Sequence, residues 1–245
     1  MDELKLCGIE EEDISIVVAC GIHRKSTEQE KSFISGDLKN RLKIIDHDAD
    51  DFDNLIYAGT TSFNNRILLN KIVYDADVRI IICDIDFHQF CGYGGGAKSL
   101  LPGVSDRNSI EKNHSMMKHN LAQAGVIDGN PVRTEIDEIG KFFKIDFQIA
   151  VVLNSEKEVV DVFAGDMHET FLKGVEICDR MYKVFVPERV DAVVVSCGGY
   201  PLDIDLYQTQ KSIENAIRIV KTAIKKTKNR PALPTTEHNF VPFIF

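Results

Sequence analysis

Four of the five residues from Gly92 to Gly96 are glycine, and they stand between an apolar run and a lysine. The run Val78-Arg-Ile-Ile-Ile-Cys83 is rich in β-branched residues and predicts a buried strand. His88 precedes the glycines, Lys98 follows them, and His114 lies further on. A strand feeding a glycine-rich turn brings backbone close to a neighbour, because residues without a Cβ accept positive φ and near contacts. Strand, turn and lysine in that order point to an α/β fold in which this turn borders a ligand.

The rest of the chain is consistent with that class. At 245 residues it has room for one large domain or two smaller ones with real cores. Its 44% hydrophobic and 27% charged residues are those of an ordinary globular protein. A formal charge of −9 argues against nucleic acid or an anionic membrane as partner. The six cysteines are dispersed without a Cys-x-x-Cys pair, so they read as small buried hydrophobes in a reducing cytoplasm. Neither a signal peptide nor a run of membrane-spanning length is present, which again predicts the cytoplasm.

Taken in order, Ile14–Cys20 predicts a strand with Gly21-Ile-His-Arg24 at its carboxyl end, where open α/β sheets place ligand groups. Thr27 and Glu30 have the form of a capping box at a helix start. Leu42–Ile45, 52–58 and 66–69 predict strands. The acidic Asp46-His-Asp-Ala-Asp-Asp51 reads first as a solvated loop and second as a cation site. A helix is expected from about Asp106 to Ala124, capped by Ser105 or Asp106, with His114 at the edge of its apolar stripe. Pro131 is placed as the first residue of another helix. Residues 147–154 and 158–164 predict a hairpin, followed by a helix to Tyr182. A boundary near Pro187–Val190 divides a first domain, 1–188, from a second, 189–245, which opens with a strand at 191–196 and a helix at Leu206–Lys226. The tail beyond shows neither period. The expected architecture is therefore two α/β domains with mostly parallel sheets, the second incomplete.

Several chemistries fit these residues. Gly92–Ser99 has nearly the spacing of a phosphate-binding P-loop, but Ala97 stands where that motif has glycine, and no second acidic motif follows. His23 and His88 each follow a strand. Singly, each reads as a structural histidine; together with Lys98 and His114 they suit proton transfer, metal ligation and covalent attachment. Gln208 and Lys211 lie three apart on one helix face, either solvated or gripping a small carboxylate. His47, His119, His168 and His238 read as structural or exposed.

Together these pieces resemble the nickel-dependent lactate racemase family. The resemblance rests on Gly21-Ile-His-Arg24, His88 with Gly92–Lys98, Pro102-Gly103, Asn113-His114, Gly129-Asn-Pro-Val-Arg133, Ala164-Gly-Asp166, and Tyr207-Gln208 with Lys211-Ser212. They run in family order over roughly 190 residues.

The resemblance implies a nickel pincer nucleotide, a pyridinium thioamide/thiocarboxylate mononucleotide made by separate maturation enzymes. It implies that Lys98 forms the covalent link, that His114 is the protein's nickel ligand, and that Gly94, Gly95 and Gly96 bring backbone N–H groups near the cofactor. His23 and His88 would be the two acid/base residues, and Gln208 and Lys211 would hold a small 2-hydroxy acid. Hydride would leave the carbinol carbon and return to its opposite face, racemising or epimerising the substrate. Family members also carry an α/β segment ahead of the Gly-Ile-His-Arg strand, with an Asp-x-Thr-Arg-type element, and further elements beyond the second domain's start. The chain is thus expected to be a member cut at both ends, with a complementing amino-terminal chain among its candidate partners. The alternatives are a remnant that binds nucleotide or phosphate without turnover and, behind it, a P-loop-like phosphohydrolase.

Overall fold

The computed structural model describes residues 2–199, 203, 206–221 and 240–242, with only the backbone at 207, 208, 211 and 240–242. The side chains of Gln208 and Lys211 therefore lie outside the described residues, as does most of the tail.

Helix α1 (Asp2–Leu6) precedes strand β1 (Ser15–Val18). The expected capping box forms: Thr27 Oγ1 accepts from the Glu30 N–H, the Glu30 carboxylate accepts from the Thr27 N–H, and α2 (Glu28–Ser35) begins. Strand β2 (Lys43–Asp46) runs parallel to β1, with Ile16 opposite Ile44. Strands β3 (Leu55–Thr60) and β4 (Arg66–Asn70) pair antiparallel, and α3 (Lys71–Asp75) follows, its Ile72 N–H bonded to Asn70 Oδ1.

Strand β5 (Ile80–Asp84) leads to the short hairpin β6 (Phe87–His88) and β7 (Gly92–Tyr93). A 3-10 turn, Gly96–Ser99, carries Lys98, and α4 (Arg107–Ser115) carries His114. Pro131 does open α5 (Pro131–Phe142). The expected hairpin is β8 (Phe147–Leu153) with β9 (Val159–Gly165). Asp166 caps α6 (Met167–Tyr182) by accepting from the His168 and Glu169 N–H groups. Strand β10 (Lys183–Phe185), α7 (Leu206–Ile219) and β11 (Phe240–Pro242) complete the described elements.

The class is mixed α/β. Beside the parallel β1–β2 pair, the short connections make antiparallel hairpins, since a parallel return needs a long crossover. Strand β5 belongs to a three-stranded sheet in the order β5-β8-β9.

Four expectations change. Strand β5 is not buried throughout, because Ile81 is buried while Ile82 remains 75% exposed. Helix α4 stops at Ser115 and gives way to a 3-10 turn at Met116–Lys118, after which Gly125 sits at φ +76°. No strand forms at 191–196: Val194 is fully exposed, and only the neighbouring Val190 makes an isolated bridge, to Val220. In the tail, β11 pairs antiparallel with β10.

Two compact units are interleaved along the chain, a different kind of division from one cut after residue 188. The first comprises Met1–Ile81, Ala97–Ser115 and Glu135–Phe147; the second comprises Ile82–Gly96, Met116–Thr134 and Gln148–Phe245. Fully buried Ile67, Leu69, Leu101, Ile110, Ile136 and Ile139 supply the first unit's interior. In the second, Ile85, Phe87, Tyr93, Ala150, Val152, Phe171 and Cys178 form one cluster. No described helix is long and apolar enough to cross a membrane.

Packing around Gly95 supports a stability prediction. Its φ is +76°, and an added Cβ would lie 2.3 Å from Ile85 Cδ1 and 2.7 Å from the Asp84 carbonyl oxygen. Gly8, at the end of α1, also has a positive φ, +79°, but nothing stands within 4 Å of its Cβ position. Gly8→Ala should cost about 1 kcal/mol from backbone strain alone. Gly95→Ala should cost roughly 3 kcal/mol or more, since overpacking adds to strain. Urea midpoints at unchanged m-value measure both; equal losses would refute the packing account.

Candidate functional site

The first unit gathers three of the residues singled out in the sequence. His23 follows β1 on an exposed turn, where its N–H bonds to the Cys20 carbonyl at 2.9 Å. That turn is tied down at Gly21, whose N–H bonds to the Gly103 carbonyl at 2.9 Å. The Gly103 N–H in turn bonds to the carbonyl of Lys98 at 3.1 Å, so the backbones bearing His23 and Lys98 are linked through one residue. An added Cβ at Gly103 would stand 2.2 Å from the Ser99 carbonyl oxygen, which no side chain could accommodate.

His114 lies in the last turn of α4, and the start of that helix is anchored. Buried Asp106 accepts from the Ser109 N–H at 3.1 Å, from the Leu68 N–H at 3.1 Å, and from the Ser109 hydroxyl. A carboxylate there answers the helix's unpaired N–H groups and favours its positive end. The His114 imidazole is pushed down to about 4, first by burial, then by the positive charges of Lys98 and His23. His114 is thus a neutral imidazole across the physiological range, with both other groups close enough to act on it. Among the described residues, no three His, Cys, Asp or Glu side chains converge to hold a metal ion.

A pH dependence follows. The unfolded chain's histidine titrates near 6.5, so on acidification it takes up a proton before folded His114 does. This contribution is absent above about pH 6.5 and destabilises progressively down to about 4. Between pH 7.5 and 5, wild type should lose about 2 kcal/mol more than His114→Gln, by urea denaturation at both values. Equal losses would contradict the buried, charge-crowded environment.

The second unit holds His88 and the glycines. His88 Nδ1 accepts from the Cys91 N–H at 3.4 Å, which puts the proton of the neutral ring on Nε2, and the ring stacks edge-on with Phe90 at 4.6 Å. The tight turn is held within the protein: a Cβ on Gly92 would meet the Val126 carbonyl oxygen at 2.4 Å, and one on Gly96 the Phe171 ring at 3.2 Å. The Gly94 N–H bonds to the Asp86 carbonyl at 2.7 Å. The loop then enters a single 3-10 turn and not an α-helix, so it lacks the helix N-terminus on which P-loop phosphate binding depends.

Sequence reasoning missed the supports. Arg133 is fully buried, directs Nη1 to the Tyr93 and Gly95 carbonyls at 3.5 Å each, and lies 4.0 Å over the Phe171 ring. Asn130 bonds to the Phe90 and Val126 carbonyls and caps α5 through Val132. An Asn directly before a helix-opening Pro was the available signal for that cap. His47 is also structural, its ring bonded to the Ser105 carbonyl at 2.8 Å. The acids around it form ion pairs: Asp46 with Lys31, Asp48 with Lys25, and Asp50 with Arg107.

The chain is mixed α/β, and the charges of Lys98 and His23 both act on the His114 imidazole. The chain belongs to the lactate racemase family: the family described as "Lactate racemase N-terminal domain" matches residues 1–125. It is 32% identical to the lactate racemase of Thermoanaerobacterium thermosaccharolyticum over 204 residues, 82% of this chain and 48% of that protein. It is also 32% identical to the lactate racemase of Lactiplantibacillus plantarum over 206 residues, 83% of this chain and 48% of that protein. The chain therefore spans about half the length of these curated relatives. The solved lactate racemase apoprotein from T. thermosaccharolyticum superposes with a TM-score of 0.82, covering 85% of this chain and 51% of its own. A Thermotoga maritima protein, 19% identical with a TM-score of 0.61 over 72% of this chain and 49% of its own, shares the fold.

Proposed function

We propose that this chain holds a nickel pincer nucleotide and takes part in racemising or epimerising a small, lactate-like 2-hydroxy acid. The observation that carries the reading is the neutral imidazole of His114 with Lys98 and His23 acting on it. A neutral imidazole is the ligand form nickel requires, and an amine is the nucleophile a covalent tether requires. In this reading the metal's remaining ligands come from a bound organic group. The residues present fit such a group, with Lys98 as its anchor and His114 as its metal ligand.

The bound cofactor supplies an acceptor and donor of hydride. Proton handling falls to the chain's own histidines, proposed as His23 and His88. His23 is exposed, so it can exchange its proton with solvent. In His88 the Cys91 N–H bonds to Nδ1, so the proton to be given or taken is the one at Nε2. Gly94, Gly95 and Gly96 are proposed to border the cofactor, and Gln208 and Lys211, on α7, to hold the substrate. The maturation enzymes are the proposed partners, and the six free cysteines suit a reducing cytoplasm.

Co-expression with the maturation enzymes, followed by intact mass and nickel analysis, tests the proposal. A pincer-sized adduct with about one nickel per chain is the expected result. A chain with neither would overturn it, leaving non-catalytic nucleotide or phosphate binding.

A further inference from the structure

Glu135 is a fully buried carboxylate to which none of the preceding chemistry assigns a role. Its Oε1 accepts from the Thr61 hydroxyl at 2.7 Å, and its Oε2 accepts from the Asn113 amide Nδ2 at 2.7 Å. Thr61 Oγ1 in turn accepts from the Asn65 N–H at 3.2 Å, and Asn65 Nδ2 donates to the Ser109 carbonyl on α4 at 2.9 Å. The carboxylate is thus held from two sides. Asn113 is also fully buried and stands directly before His114.

An ionised carboxylate only accepts hydrogen bonds. It therefore forces the Asn113 side chain to present Nδ2 to Glu135, which turns Oδ1 the other way. Oδ1 lies 3.2 Å from His114 Nδ1. An amide oxygen also only accepts, so the neutral ring must carry its proton on Nδ1. The Ile110 carbonyl, one turn earlier, also hydrogen bonds to the ring.

We infer that Glu135 and Asn113 are positioning residues that fix His114 in its Nδ1–H tautomer and present the Nε2 lone pair as the metal-binding atom. The carboxylate acts on the imidazole through the intervening amide, in the manner of outer-sphere partners that orient ligating histidines. As a statement about metal binding this rests on the proposed nickel role of His114; as a statement about the tautomer it does not.

The test uses the full metal-free chain. Long-range proton–nitrogen NMR correlations from the ¹⁵N-labelled imidazoles report which ring nitrogen is protonated, and the signal lost in His114→Gln identifies His114. Wild type at pH 7 should show the Nδ1–H form. Asn113→Leu removes the amide acceptor, and Glu135→Gln, nearly isosteric, removes the acceptor-only constraint; with the Ile110 carbonyl the acceptor that remains, each should give a mixture of the two tautomers. Circular dichroism establishes that each variant is folded, and Glu135→Gln carries the test if Asn113→Leu is not. An Nε2–H tautomer in wild type, or an unchanged tautomer in a folded variant, overturns the inference. Because the readout needs no metal, a chain that never loads nickel can still pass it, and a loaded chain can still fail it. In the loaded protein, either variant should weaken nickel retention about tenfold or more.

Discussion

Lys98→Ala is expected to abolish the pincer-sized adduct completely while leaving the fold nearly intact. Covalent attachment needs a nucleophilic amine, which alanine lacks. Lys98 is only partly buried, on a single 3-10 turn, so its truncation should cost no more than about 0.5 kcal/mol. Lys98→Arg separates charge from nucleophilicity, since a guanidinium stays protonated in proteins and cannot be acylated as an amine can. Both variants should lack the adduct. Only the alanine variant should let His114 titrate above its present value of about 4, because the positive charge of Lys98 is one of the forces holding it there. Intact mass and histidine NMR read the two effects separately. An adduct that survives Lys98→Ala would move the anchor to another residue.

Arg133→Ala should destabilise the protein by about 3–5 kcal/mol, among the largest losses from one substitution. The side chain is fully buried, faces the Tyr93 and Gly95 carbonyls, and stacks over Phe171. Truncation would leave buried carbonyls short of a donor, remove the cation–π contact and open a cavity. Arg133→Lys should recover less than half of the loss, because an ammonium cannot stack flat on the ring and reach both carbonyls. Urea unfolding measures the cost. Hydrogen exchange at the Gly94 N–H, bonded to Asp86, should accelerate as the turn loosens. A loss below about 1 kcal/mol would show that Arg133 does not hold the glycine turn.

Much of the local structure was legible in the residues. The Thr27–Glu30 box and Pro131 at a helix start each act within four residues, so their signals survive without tertiary context. The 147–165 hairpin was legible for the same reason. Residues 191–196 misled because a β-branched run predicts a strand only if a neighbour supplies the ladder, and among the described residues none does. Lys98, His88, His23 and His114 stand out by type and spacing, but nothing in the sequence gives the environment of the His114 ring.

What the sequence determined by itself was the α/β class, the Thr27–Glu30 box, the helix start at Pro131 and the 147–165 hairpin. These follow from short-range geometry and from the chemistry of each side chain. Only the tertiary structure decided that His114 is neutral, that Arg133 lies beneath the glycine turn, and that Glu135 reaches His114 through Asn113. Such properties depend on burial and on partners distant in sequence, and a linear pattern carries neither.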